Sequence, residues 1–344
     1  MLGAFAGGIS ESERICASPA NFQLLQDNMN IQLVTPAPLK INNGNKITAL
    51  RWAAILKKLG HRVQVRQVYD GKPCDLLIAL HALKSADSIR RFHQAQPTKP
   101  LIVVLTGTDV YRDIHESEEA QRSLELATRL VALQTLALQE LPKRFLGKTK
   151  VIYQSAESVR TQSVKPKRAF NVCVIGHLRD EKDPLRTAFA VRDLPAPSRI
   201  EVTHVGQALD KSLEQAAQAE VRINSRYRWL GQLSHRKTRA LLAGSKLVTI
   251  TSKMEGSSNV LSEALASGVP VIGSKISGLM GTLGKKFLGY YPVGDTAKLR
   301  RLLLKAESDR RFYDALRRQC RGFAHLVRPA REIAAWRSLL KEIC

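Results

Sequence analysis

The chain has 344 residues, of which 44% are hydrophobic and 24% charged, enough for two ordinary globular domains and unlike a disordered or fibrous protein. No apolar run nears the roughly 20 residues that span a bilayer, and the five scattered cysteines form no C-x-x-C pair and no zinc-finger spacing with histidine, which fits a reducing cytoplasm. Lys and Arg number 54 against 30 acids, a net charge of +24 that attracts anions: nucleic acid, a membrane surface or phosphorylated small molecules.

The opening MLGAFAGGIS has no basic region before its short apolar stretch and does not read as a secretory signal. Residues 1–28 show no periodicity and are expected to be a disordered or non-native extension. IQLVT (31–35) reads as a buried strand. NKITALRWAAILKKLG follows as a helix, with Ile47, Leu50, Ala54 and Leu56 as its apolar side and Gly60 as its stop. HRVQVRQV alternates as a strand with Val63, Val65 and Val68 on one face. DLLIAL (75–80), LIVVLT (101–106), RLVAL (129–133) and KVIYQ (150–154) are further strands. The polar, basic stretch ESVRTQSVKPKRA (157–169) reads as a linker. A second series follows: FNVCVIG (170–176), RIEVTHVG (199–206), YRWLG (227–231), KLVTIT (246–251) and VPVIGS (269–274), with a helical segment from about 296. Alternation on this scale predicts parallel sheets with right-handed crossovers. The expected architecture is α/β: two doubly wound, Rossmann-like domains over 29–160 and 161–330, facing each other across a cleft, with a last helix over 331–344 returning to the first. Ligands bind outside the carboxyl ends of such strands.

Four stretches place polar groups there. In SKMEGSSNVLSEALASGVPVIGS (252–274), a strand leads into a helix capped by Ser257 or Ser258, with Val260, Leu261, Ala264 and Leu265 as its buried side. The first-turn amides form an anion site. Asn259 and Glu263 share a face, and Glu255 sits in the preceding loop, where a carboxylate can accept from sugar hydroxyls. A capped surface helix with solvated acids reads the same way for either glutamate alone. In VIGHLRDEKDP (174–184), Arg179 and Lys182 follow Gly176 at a spacing that converges on a diphosphate. In PLKINNGNKITALRW (38–52), Gly44 precedes a helix, which fits a ligand's close approach or a plain strand-to-helix turn equally well. Past two further strand ends stand His81, Lys84, Thr106, Thr108, Asp109 and Arg112, the opposite wall of a cleft. There is no Ser-His-Asp order, metal-ligand cluster or D-x-D pair.

SKMEGSSNVLSEALASGVPVIGS resembles the donor motif of retaining glycosyltransferases of the GT-B fold, family four: Glu, seven residues, Glu, then G-x-PV. GHLRDEK resembles that family's GRLxxEK phosphate loop, with His177 where arginine is usual and Arg179 replacing that cation. VVLTGTD resembles its HGTD stretch, with Thr106 in the histidine position. A closer likeness runs from about residue 29 to the end: GNKITALRWAAILKKLGHRV, LTGTDVYRDI, RSLELATRLVALQ, YQSAES, GHLRDEKDPLR, RYRWLG and GYYPVGD resemble the selenosugar synthases of selenoneine biosynthesis.

That resemblance implies transfer of sugar from UDP-N-acetylglucosamine or UDP-glucose to selenophosphate, with release of UDP and phosphate. It implies a catalytic set of Glu255, Arg179 and Lys182, and a donor site at Gly44, Asn45, Gly231, Glu255, Gly256, Ser257, Ser258, Asn259, Val260 and Glu263. The acceptor site is expected at Lys46, Arg51, His81, Lys84, Thr106, Thr108 and Arg112. Selenium is already an anionic, soft nucleophile and needs little help from a general base. No metal or other cofactor, no nucleic acid and no membrane is expected, and the chain is read as a cytoplasmic monomer or weak homodimer. A family-four transferase acting on a lipid or sugar hydroxyl is the competing enzyme. A nucleic-acid-binding protein using its basic surface is the competing class.

Overall fold

The computed structural model describes residues 28–36, 43–159 and 169–343. The expected extension before residue 28 and the centre of the expected linker, 160–168, lie outside the described residues.

Two parallel six-stranded sheets form. The first contains β1 (Asn30–Val34), β2 (Arg62–Arg66), β3 (Leu76–Leu80), β4 (Leu101–Leu105), β5 (Arg129–Ala132) and β6 (Thr149–Val151), ordered β2-β1-β3-β4-β5-β6. The second contains β7 (Phe170–Ile175), β8 (Ile200–Val205), β9 (Tyr227–Trp229), β10 (Leu247–Ile250), β11 (Val271–Ser274) and β12 (Tyr290–Tyr291), ordered β12-β11-β10-β7-β8-β9. β3 and β4 are buried along their whole length, as unbroken apolar runs in a two-sided parallel sheet must be. Both sheets reverse strand order beside their first strand, between β1 and β3 and between β7 and β10. Crevices open at those switch points. The two expected doubly wound α/β domains are thus present.

Two local expectations are corrected. β2 ends at Arg66, so Val68 lies beyond it and is 58% exposed. The helix Gly44–Lys58 buries Thr48, Ala49, Trp52, Ala53, Ile55 and Leu56, whereas Leu50 is 48% exposed and Ala54 is exposed. Trp52 sets that face, because its ring packs edge-on to Trp336 at 4.8 Å and its indole N–H donates to Glu332 Oε1 at 2.6 Å. Both partners lie on the last helix, Pro329–Lys341, which packs Trp336, Leu339 and Leu340 into the first domain's core beside Ile31 and Leu33.

The helices Thr296–Ser308 and Arg310–Phe323 close the second core through Leu299, Leu303, Leu316 and Cys320. Cys74, Cys173 and Cys320 are buried and free, and burial pushes the Cys173 thiol up to about 12, which suits packing rather than nucleophilic attack. Among the described residues no helix is long and apolar enough to cross a membrane.

Candidate active site

The carboxyl ends of the two sheets enclose a cavity of about 490 Å³, within the range of small-molecule sites. On the second domain's wall the helix Asn259–Ala266 points its N-terminus into this space. Ser258 caps it, its hydroxyl accepting from Leu261 N at 3.4 Å. Leu261, Ala264 and Leu265 bury the far side in the core, and Val260, half-buried, packs against that core and also lines the cavity. Lys182 ends the turn Asp180–Lys182 that follows β7. Its ammonium pairs with Glu255 Oε1, which also accepts from Ser252 Oγ at 2.7 Å. Thr251 Oγ1 donates to the Lys182 carbonyl at 2.8 Å, tying that turn to the end of β10. Arg179 heads the same turn and stands on the cavity wall. Glu263 Oε1 meets His235 Nε2 at 3.0 Å.

Behind this wall, the buried His204 fixes the β7 loop. Its Nε2–H donates to the Gly176 carbonyl at 2.9 Å, and its Nδ1 accepts from the Tyr227 hydroxyl at 2.8 Å. Burial lowers its pKa to about 4, so the ring is neutral at neutral pH.

The first domain's wall is built around Asp109. This buried carboxylate accepts from Gly107 N at 2.7 Å, Thr106 N at 2.9 Å and Ala82 N at 3.1 Å, joining the ends of β3 and β4. His81 sits at the end of β3 with φ of 76°, a costly left-handed backbone for a non-glycine residue. Its Nδ1 accepts the backbone N–H of Lys84 at 3.2 Å, so the neutral ring carries its proton on Nε2. That Nε2–H donates to Thr108 Oγ1 at 3.0 Å. Burial depresses the His81 pKa, with Asp109 and Asp113 opposing and Lys84 and Arg112 adding to the fall. Arg112 Nε donates to Asp113 Oδ1 at 2.9 Å, and both Lys84 and Arg112 line the cavity.

Of the residues singled out from sequence, the cavity brings together Gly44, Asn45, His81, Lys84, Thr106, Thr108, Arg112, Arg179, Lys182, Glu255, Ser257, Ser258, Asn259, Val260 and Glu263. Gly231, Gly256, Lys46 and Arg51 are not on its wall. Gly231 ends the β9 connection with φ of 64°, and its carbonyl accepts from Gly206 N at 2.9 Å. Gly256 is buried against the backbone of Thr106 and Gly107, where the domains touch. Lys46 lies in the first turn of its helix, its backbone N–H donating to the Asn43 cap at 3.0 Å. Arg51 is turned to Glu332 and Asn259.

Sequence reasoning missed His235, Gln232 and Thr238, which follow β9 and line the cavity. The available signal was the polar run GQLSHRK just past a strand end. Among the described residues no group of three or more His, Cys, Asp or Glu is placed to hold a metal ion.

Residues 155–323 match the family described as glycosyl transferases group 1. The match spans all six strands of the second sheet. The matched span holds Arg179, Lys182, Glu255, Glu263 and the helix Asn259–Ala266, the second domain's wall of the cavity.

Solved structures share the two-sheet architecture of this chain. HepE of Anabaena in complex with UDP superposes with a TM-score of 0.72 at 16% identity, covering 92% of this chain and 100% of that one. Sucrose-phosphate synthase from Thermosynechococcus elongatus gives a TM-score of 0.74 at 16% identity, covering 92% and 99%. A glycosyltransferase from Rickettsia africae gives 0.68 at 14% identity, covering 92% and 99%. The fold is GT-B.

Proposed function

We propose that this protein transfers the sugar of UDP-N-acetylglucosamine or UDP-glucose to the selenium of selenophosphate. HepE, which shares the fold, is known with UDP and with UDP-glucose. On this reading the uridine diphosphate lies along the second domain. Arg179, Lys182 and the first-turn amides of Asn259–Ala266 receive its phosphates, Glu263 the ribose and Glu255 the sugar.

The carrying observation is the state of His81 on the acceptor wall. Its Nδ1 accepts from Lys84 N, its Nε2–H donates to Thr108, and burial keeps the ring neutral. Neither nitrogen is left to take a proton from an incoming hydroxyl. Thr106 offers no base where the resembled family carries histidine. An acceptor that arrives as an anion needs none, and the cations Lys84 and Arg112 line the cavity to receive it.

The selenium lone pair forms a bond to the anomeric carbon as the bond from that carbon to the diphosphate oxygen breaks. The departing electron pair stays on UDP, where fixed cations and helix amides stabilise it as it develops. Water then cleaves the phosphorus–selenium bond, giving phosphate and the 1-selenosugar. The test incubates the enzyme with UDP-N-acetylglucosamine and selenophosphate and follows UDP and a selenium-bearing sugar by mass spectrometry. Both products are expected. UDP release with sugar or lipid hydroxyls but never with selenophosphate rejects this acceptor.

A further inference from the structure

We infer that Arg51 is a positioning residue for the donor site, acting across the domain boundary through Asn259. Its functional readout rests on the UDP-sugar reading above, while the contacts themselves do not.

The anchor is Glu332, 1% exposed on the last helix. Its carboxylate accepts from Trp52 Nε1 at 2.6 Å, from Ser155 N at 3.0 Å and from Ser155 Oγ at 2.5 Å. Arg51 Nε donates to the same group at 3.1 Å. Nε shares both Glu332 oxygens while Nη2 is buried without a hydrogen-bond partner, so the planar guanidinium can turn little. The other side of Arg51 then presents Nη1 to Asn259 Oδ1 at 3.0 Å.

Asn259 is the first residue of the helix that faces the cavity. Its own Nδ2 donates to the Gly44 carbonyl at 3.3 Å. Both ends of its amide are therefore spent on the first domain. The first turn of the donor helix is held against the Gly44 turn, whose residues 43–45 line the same cavity. One polar chain thus runs from the last helix through the first domain to the second domain's site. It sets how far the donor helix stands from the opposite wall, a distance that in-line transfer between two bound substrates depends on.

A merely structural Arg51 would serve only to neutralise Glu332. Lysine separates the two roles: it keeps a cation beside Glu332 but offers a single nitrogen, which cannot also reach Asn259. Affinity for UDP is measured by calorimetry for the wild type, R51K, N259A and the double variant, with the unfolding temperature of each. R51K and N259A are each expected to weaken UDP by about tenfold, the scale of one lost hydrogen bond to a charged group. The double variant is expected to bind no more weakly than the weaker single variant, and R51K to unfold near the wild-type temperature. Wild-type affinity in R51K, or losses that multiply in the double variant, overturns the inference. Should R51K not fold, E332Q takes its place in the cycle, since it weakens the anchor and leaves Arg51 present.

A wild type that fails to bind UDP counts against the donor reading instead. Scattering without nucleotide then decides the inference. A larger radius of gyration is expected in both R51K and N259A, and an unchanged radius in both overturns it.

Discussion

Lys182 and Glu255 meet across the switch point of the second sheet, ammonium against carboxylate, at the ends of β7 and β10. Each is mostly buried, so each would stand as an uncompensated charge without the other. The pair keeps a cation fixed where a diphosphate would gather charge. Replacing Lys182 by methionine is expected to lower the rate of UDP release by about 10²–10³-fold, the usual cost of one preorganised electrostatic contact. Glu255→Gln keeps an oxygen for Ser252 Oγ and is expected to fold but turn over slowly. Steady-state UDP release and circular dichroism of both variants check this, and unchanged turnover in either removes that residue from the site.

Gly256 lies where the two domains touch. A methyl group there would land on the Thr106 carbonyl and close to Gly107 N, backbone that cannot swing aside. Gly256→Ala is therefore expected to hold the cleft apart and lower kcat by at least about tenfold, since small misplacements cost that much or more. The neighbouring Gly107 provides the control. A methyl on it would sit 3.8 Å from Gly256 N, an ordinary contact, so Gly107→Ala is expected to keep most activity. Equal kcat values for the two variants would contradict the close approach.

The alternating apolar runs made both sheets legible, because a strand buried on both faces must be apolar throughout, as Leu76–Leu80 and Leu101–Leu105 are. The cap and buried side of Asn259–Ala266 were legible as local periodicity, though not that half-buried Val260 would also line the cavity. The buried face of Gly44–Lys58 was misread because Trp52 answers to Glu332, 280 residues away, and no local pattern carries that partner. The tie from Arg51 to Glu332 was hidden for the same reason: one basic residue among many in a chain of net charge +24 shows its partner only in three dimensions. The His235–Glu263 contact spans 28 residues and two elements, so spacing could not reveal it either. The two-residue strand Tyr290–Tyr291 is too short to have a period.

His204 gives the fold a pH dependence of known sign. Its folded pKa is about 4 against an ordinary 6.5, because burial disfavours the imidazolium. The unfolded state therefore binds the proton first. The stability from the neutral ring is fully present above pH 6.5 and is lost as pH falls toward about 4, by up to about 3 kcal/mol from this group. Urea unfolding of the wild type and His204→Leu, compared across that window, checks it. The variant is expected to be weaker at pH 7, having lost the bonds to Gly176 and Tyr227, but flatter with pH. Parallel curves would mean that His204 is not the titrating group.

Glu332 carries the attachment of the last helix to the first domain. Truncating it to alanine leaves the Trp52 indole N–H, the Ser155 donors and the Arg51 guanidinium without their shared acceptor in a buried place. Breaking a buried, hydrogen-bonded ion pair in this way costs about 3–5 kcal/mol, a large part of the stability of an ordinary domain. Glu332→Ala is expected to lower the free energy of unfolding by that amount and the denaturant midpoint with it. Glu332→Gln retains one acceptor oxygen of similar shape and is expected to lose less. Chemical denaturation followed by tryptophan fluorescence suits the measurement, since Trp52 and Trp336 pack edge-on at this contact and report its loss directly. If alanine and glutamine variants unfold alongside the wild type, the last helix is held by its apolar side chains, Leu339, Leu340 and Trp336, and the carboxylate contributes nothing to it.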